Sequence, residues 1–137
     1  MPPEFQYWTA LKARLLQSEF RSRFRLRRKE LQILAENGME NIQNHCRSIL
    51  VQRLAPAYPK NDGKQTPMKG HPCFVAQHAT GICCRTCLQK WHGIPPGRPL
   101  TESELDLLTN VLICWIREHS ANAESVDYTP DLFTISK

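Results

Sequence analysis

The sequence predicts a mainly α-helical fold, with four to five helices around one core, long Pro/Gly loops and a compact cysteine–histidine site. Three observations predict it. Apolar residues recur at three- and four-residue spacing toward both ends of the chain, the period of a helix face. Ten prolines punctuate the chain, several of them grouped between those ends, where they break regular structure. The stretch His71 to His92 gathers four of the six cysteines and three of the five histidines. At 137 residues the chain is one domain's worth with a modest core. Residues 1–119 are expected to form that domain, and 120–137 a tail, mobile or loosely docked, because the apolar period stops there.

Residues 5 to 19 read as an amphipathic helix, with Trp8, Leu11, Leu15 and Phe5 on its core face. Phe20 to Lys29 alternates arginine with apolar or small residues. Read as a strand, it places Arg21, Arg23, Arg25 and Arg27 on one face, roughly 6–7 Å apart. Read as a helix, it places Arg21, Arg25 and Arg28 on one side and Phe20, Phe24 and Leu31 on another. Lys29 to Asn37 predicts a short helix ended by Gly38, and Met39 to Leu54 a second helix burying Ile42, Ile49, Leu50 and Leu54. Cys46 lies near that face as a core thiol, and His45 is structural or solvated. Residues 55 to 70, with three prolines and two glycines, predict a long irregular loop, and Asn61-Asp62-Gly63 a turn. After a second rigid loop over 93–100, Thr101 and Glu104 form a capping box with Leu100 and Leu105 at staple positions. The last helix then carries Leu105, Leu108, Leu112, Trp115 and Ile116 as one stripe, with Cys114 beside it. A short extended segment over 20–27 or 71–77 completes the expectation.

Cys84-x-x-Cys87 followed by His92 has the spacing of the first three ligands of a zinc knuckle, and His78 supplies a fourth. Two thiolates aimed from one tight turn or helix start, with histidine closing the tetrahedron from the next turn, suit zinc. Cys83, His71 and Cys73 are spare ligands. Three other readings compete: thiols packed as small hydrophobes on a helix from Cys83 onward, a thiol-redox site, and an iron–sulfur site. Leu88 follows the CxxC where a c-type haem motif needs histidine.

The formal charge of +5 favours anionic partners, either nucleic acid or an acidic protein surface. Basic residues interleaved with aromatics at 20–29 have the composition of a nucleic-acid patch, to which Lys64 and Lys69 would add. The competing reading pairs these arginines internally with Glu19, Glu30 and Glu36. Trp91 is a stacking group or a buried anchor. No apolar run reaches membrane-spanning length, and Met1 to Trp8 lacks the regions of a secretory signal. The expected location is the cytoplasm, where thiols stay reduced and clustered cysteines bind metal or react.

Lys60-Asn-Asp-Gly-Lys-Gln-Thr-Pro-Met-Lys-Gly-His-Pro72, Ala76-Gln-His-Ala-Thr80, Cys83-Cys-Arg-x-Cys-Leu-x-Lys-Trp-His92 and Ile94-Pro-x-Gly-Arg-x-Leu-Thr101, together with Phe20-Arg-Ser-Arg-Phe-Arg-Leu26, resemble a family of small bacterial and phage proteins known as domain of unknown function 4186. The resemblance covers roughly residues 8 to 118. It implies that the arginine row, the Asn-Asp-Gly-Lys loop and the cysteine–histidine stretch belong to one module. It also implies a bacterial cytoplasm, or a host's if the chain is phage-encoded. In that family the position of Cys73 is usually apolar, which argues against Cys73 as a ligand. Gly81-Ile82 replaces a small pair, and Pro96 stands where lysine is common.

The expected function is that of a small, non-catalytic, zinc-stabilised module that binds or accompanies nucleic acid. In this reading His78, Cys84, Cys87 and His92 hold zinc, and Arg21, Arg23, Arg25, Arg27, Lys64 and Lys69 meet the partner. The alternative is a phage-type interaction factor that binds or inhibits a host protein. A zinc or thiol enzyme comes third, since no general base stands at motif spacing.

Overall fold

The computed structural model describes residues 3–127, with side chains placed for 5–121. Its elements follow from caps and breakers in the sequence. Thr101 Oγ1 accepts from the Glu104 backbone N–H at 3.1 Å, and Glu104 Oε1 accepts from the Thr101 N–H at 2.9 Å. This is the expected capping box, and it starts α6, Glu102–Asp127. Leu105, Leu108, Leu112, Trp115 and Ile116 are all buried along it. Each such side chain contributes about 1.5–3 kcal/mol by leaving water. The helix runs on past Ser120, where the apolar stripe fades. No glycine or proline interrupts the chain before Pro130, so the backbone stays helical to Asp127. The rest of the expected tail, 128–137, lies outside the described residues.

Around α6 stand α1 (Pro3–Leu16), α3 (Arg28–Arg53) and α4 (Pro72–Thr80). Trp8, Leu11 and Leu15 of α1 are buried. The Trp8 indole donates to Glu118 at 2.7 Å, and Lys12 pairs with the same carboxylate at 3.2 Å, which fixes α1 on α6. Phe5 stands off that face and is exposed. The two expected helices of 29–54 form one span, α3, broken at Gly38, whose φ of 82° no β-carbon-bearing residue adopts readily. Ile42, Cys46, Leu50 and Leu54 are wholly buried.

Residues 20–27 are neither a strand nor a continuous helix. Ser18 accepts from the Arg21 N–H at 3.1 Å and starts one turn, α2 (Glu19–Ser22). The chain then runs without regular structure to α3. The other expected extended segment, 71–77, falls in α4 instead. His71 caps that helix through the Cys73 N–H, and Pro72 occupies its first turn, where the missing N–H costs nothing. A further helix, α5 (Arg85–His92), begins at Cys84. Among the described residues there are six helices and no strand.

The two proline-rich loops are tied by a side chain that the sequence placed inside the cysteine motif. Arg85 is buried. Its guanidinium donates to Leu54 and Pro56 on one loop, at 3.2 and 2.7 Å, and to Pro95 and Arg98 on the other, at 3.0 and 2.8 Å. Among the described residues no helix is long and apolar enough to cross a membrane.

Candidate functional site: a cysteine triad beside a basic cleft

The chain turns at Gly81 out of α4 and enters α5 through Cys83 and Cys84. Cys84 caps α5, its sulfur accepting from the Cys87 N–H at 3.4 Å. The cap conformation turns Cys84 back toward Cys87, and Cys83 precedes it on the same bend. The sulfurs of Cys83, Cys84 and Cys87 lie within 4.8 Å of one another. All six cysteines are free thiols.

Arg21 reaches into this group. It is buried and donates to the His78 carbonyl at 2.6 Å, to Cys87 Sγ at 3.1 Å and to Cys83 Sγ at 3.7 Å. Burial pushes the Cys83 thiol up to about 12, and a neighbouring charge on Cys87 adds to this. Burial likewise raises Cys84. It also acts upward on Cys87, but hydrogen bonds from Cys84, Arg21 and Cys83 outweigh it and the net shift is downward. Of the three, Cys87 is the thiol that hydrogen bonding holds below its ordinary value.

Three clustered thiols can hold a soft metal ion. Formal charge also balances: three thiolates against a divalent ion leave one negative charge, and the Arg21 guanidinium offsets it. Of the four expected ligands, the structure gathers Cys84 and Cys87, joins them to the spare Cys83, and keeps both histidines on other partners. His92 Nε2 donates to the Thr80 carbonyl at 2.8 Å, so in the neutral ring Nδ1 is the acceptor of a hydrogen bond from the Tyr7 hydroxyl at 2.5 Å. Burial first, then Arg14 and Arg21, lower His92 to about 4. His78 Nε2 donates to the Thr66 carbonyl at 3.0 Å, and its ring stacks on Phe24. The remaining spares stand elsewhere. His71 Nδ1 accepts from the Cys73 N–H at 3.0 Å and its Nε2 meets His45 at 3.1 Å. Cys73 is fully buried and approaches Gln77 at 3.7 Å.

The arginine row divides. Arg21 points inward, whereas Arg23, Arg25 and Arg27 are exposed and line a cleft of about 310 Å³ with Lys69, Phe20, Phe24, Met68, Glu30 and Val75. Lys64 is exposed in the Asn61 turn and does not line it. Internal pairing is not what occupies these cations. The ion pairs among the described residues are Lys12–Glu118, Arg47–Glu102, Arg47–Asp106 and Arg98–Glu104. Glu30, which could have neutralised the row, is buried and spends its carboxylate on backbone. It accepts from the Arg27 N–H at 2.7 Å and the Gly70 N–H at 2.8 Å, and so fastens the two walls of the cleft together. Trp91 is half-buried beneath the guanidinium groups of Arg14 and Arg21, at 5.1 and 5.9 Å from its ring, a structural anchor.

The sequence did not mark Glu30 as a clamp or Arg85 and Asp62 as loop ties. Asp62 Oδ1 accepts from the Arg85 N–H at 3.1 Å and from Gln65 at 2.9 Å, which seats the turn against the start of α5. The Asn-Asp-Gly signal indicated the turn and gave no hint of its partner.

A helical domain with a three-thiol centre capable of holding a metal ion and an adjoining basic cleft is the class these features define. The chain belongs to the family described as Domain of unknown function (DUF4186), whose model matches residues 9–117. No solved structure matches the chain.

Proposed function

We propose that this protein is a non-catalytic, zinc-stabilised nucleic-acid-binding module of the cytoplasm. The observation that carries the reading is the cleft, where Arg23, Arg25, Arg27 and Lys69 converge and none of them belongs to an ion pair among the described residues. Cations held side by side with no ion pair of their own repel each other, and a polyanion relieves that repulsion while releasing its own counterions. In this reading Cys83, Cys84 and Cys87 hold the zinc, with a fourth position completed by another donor or by solvent. The metal fixes the turn between α4 and α5, and Arg21 carries that order to α2 and the cleft wall.

Fluorescence anisotropy across a salt series tests it. The binding constant should fall with salt with a slope of roughly 0.7–0.9 per phosphate contacted. Replacing Arg27 and Lys69 with alanine should flatten the slope by about two units, while Lys64→Ala should change little. Elemental analysis should find about one zinc per chain, lost in Cys83→Ser, Cys84→Ser and Cys87→Ser and kept in Cys46→Ser and Cys114→Ser. Absence of binding to DNA and RNA at low salt removes the reading.

A protein partner is the second reading. It draws on a larger groove of about 1020 Å³ lined by Phe5, Tyr7, Arg47, Leu107 and Cys114, where Phe5 is exposed. A stable stoichiometric complex with a host protein, weakened by Phe5→Asp, would favour it.

A further inference from the structure

We infer that the cleft receives an unpaired nucleotide, so that the ligand is single-stranded rather than duplex nucleic acid. This rests on the nucleic-acid reading above and adds the form of the ligand. Three features of the cleft lead to it.

The first is shape. The cations line a hollow of about 310 Å³, the low end of the range that encloses a small molecule and comparable with one nucleotide unit. In a duplex the bases are stacked inside and offer no face to such a hollow. A single strand can turn one base into it.

The second is chemistry. A site for phosphate alone has no use for apolar side chains kept in water, yet Phe20 and Met68 in the lining are 42% and 54% exposed. The Arg23 guanidinium sits 5.3 Å from the centroid of the Phe20 ring, which holds a flat cation at the rim. Phe24 meets Phe20 edge to face at 5.2 Å. A flat guanidinium on an aromatic support, with a thioether in the same lining, is a stacking surface that tolerates any base.

The third is preformation. The Arg25 guanidinium donates to the carbonyls of Ser22 and Phe24, both at 2.9 Å. Glu30 joins the backbone of Arg27 on one wall to that of Gly70 on the other. The walls are thus set before a ligand arrives, which lowers the ordering cost of binding. The base stacks on the Arg23 guanidinium and covers Met68, and the phosphates on either side of it meet Arg27 and Lys69.

The test compares a labelled single-stranded oligonucleotide with the duplex of the same length and sequence, using the full chain at one salt concentration. The single strand should bind at least about tenfold more tightly. Met68→Ala, on an exposed side chain whose loss does not endanger folding, should weaken single-strand binding by a few-fold, less than the loss of an aromatic base contact, and leave the salt slope unchanged. Adenosine 5′-monophosphate should displace the strand at concentrations where inorganic phosphate does not, if the pocket reads base and phosphate together. A duplex that binds as tightly as the strand overturns the inference and leaves the nucleic-acid reading standing. So does a Met68→Ala variant with unchanged affinity. Failure of both probes to bind overturns the two together.

Discussion

Arg21 Nη2 lies 3.1 Å from Cys87 Sγ, so a residue of the arginine row is part of the cysteine centre. The same guanidinium bonds the His78 carbonyl, and Arg21 is buried. Truncation leaves these acceptors without their charged donor. Arg21→Ala should therefore cost about 2–4 kcal/mol in denaturant unfolding, whereas Arg23→Ala at an exposed position should stay within about 0.5 kcal/mol. In metal-stripped protein the same change should slow alkylation of Cys87 near neutral pH, because one of the bonds that lower its thiol pKa is gone. Equal stability of the two variants would contradict the inward placement of Arg21.

Gly81 and Gly93 separate two costs of adding a methyl group. Both have positive φ, 76° and 68°, and both end helices. A β-carbon at Gly81 would lie 2.6 Å from Trp91 Cγ, whereas nothing lies within 4 Å of one at Gly93. Gly93→Ala should cost about 1–2 kcal/mol from backbone conformation. Gly81→Ala adds an overpacking cost of about 1–3 kcal/mol. Urea midpoints of the two variants measure the difference, which should be accompanied by a change in Trp91 fluorescence only at Gly81.

Thr101→Ala should lose about 1 kcal/mol, the cost of an N-cap hydroxyl. Glu104→Ala should lose more. Its carboxylate also takes both Arg98 nitrogens, at 2.9 and 2.7 Å, besides the Thr101 N–H. Thermal unfolding of the two variants ranks them. Coincident curves for wild type and Thr101→Ala would contradict the capping box.

Two histidines set an acid limit. Burial and the charge of His45 lower His71 to about 4, and burial with the nearby arginines lowers His92 to about 4, from an ordinary 6.5. The unfolded chain then binds protons that the folded chain refuses. The contribution is fully present above pH 6.5 and is lost as pH falls toward about 4. Glu104, held at about 2 mainly by its hydrogen bond to Arg98, titrates below this window. Urea midpoints should drop across it, and His92→Gln should flatten the drop. A midpoint independent of pH there would contradict the neutral, half-buried rings.

Much of this was legible from local signals. The capping box, the break at Gly38, the turn at Asn61 and the apolar stripes of α1 and α6 are all set by residues close together in sequence. The Cys84–Cys87 spacing also survived, because one helix cap brings both thiols together. The histidines were misplaced by geometry. Cys87 and His92 both belong to α5, and five residues at 3.6 per turn put them roughly 140° apart around its axis. Alternation could not separate Arg21 from Arg23 either. Ser18 winds one helical turn through Arg21 and sends it inward, and the chain leaves that turn before Arg25. Glu30 and Arg85 were invisible as organisers because their partners, Gly70 and the two proline loops, are distant in sequence.

Arg85 has a consequence for how the molecule opens. One guanidinium holds carbonyls on both sides, Leu54 and Pro56 against Pro95 and Arg98, and the Leu100 N–H reaches the Ala55 carbonyl at 2.9 Å. Neither loop has regular structure of its own over these residues, so each owes its order to the other. Their amide protons should exchange with deuterium as one cooperative unit, at a rate set by release of Arg85, instead of fraying residue by residue as separate loops would.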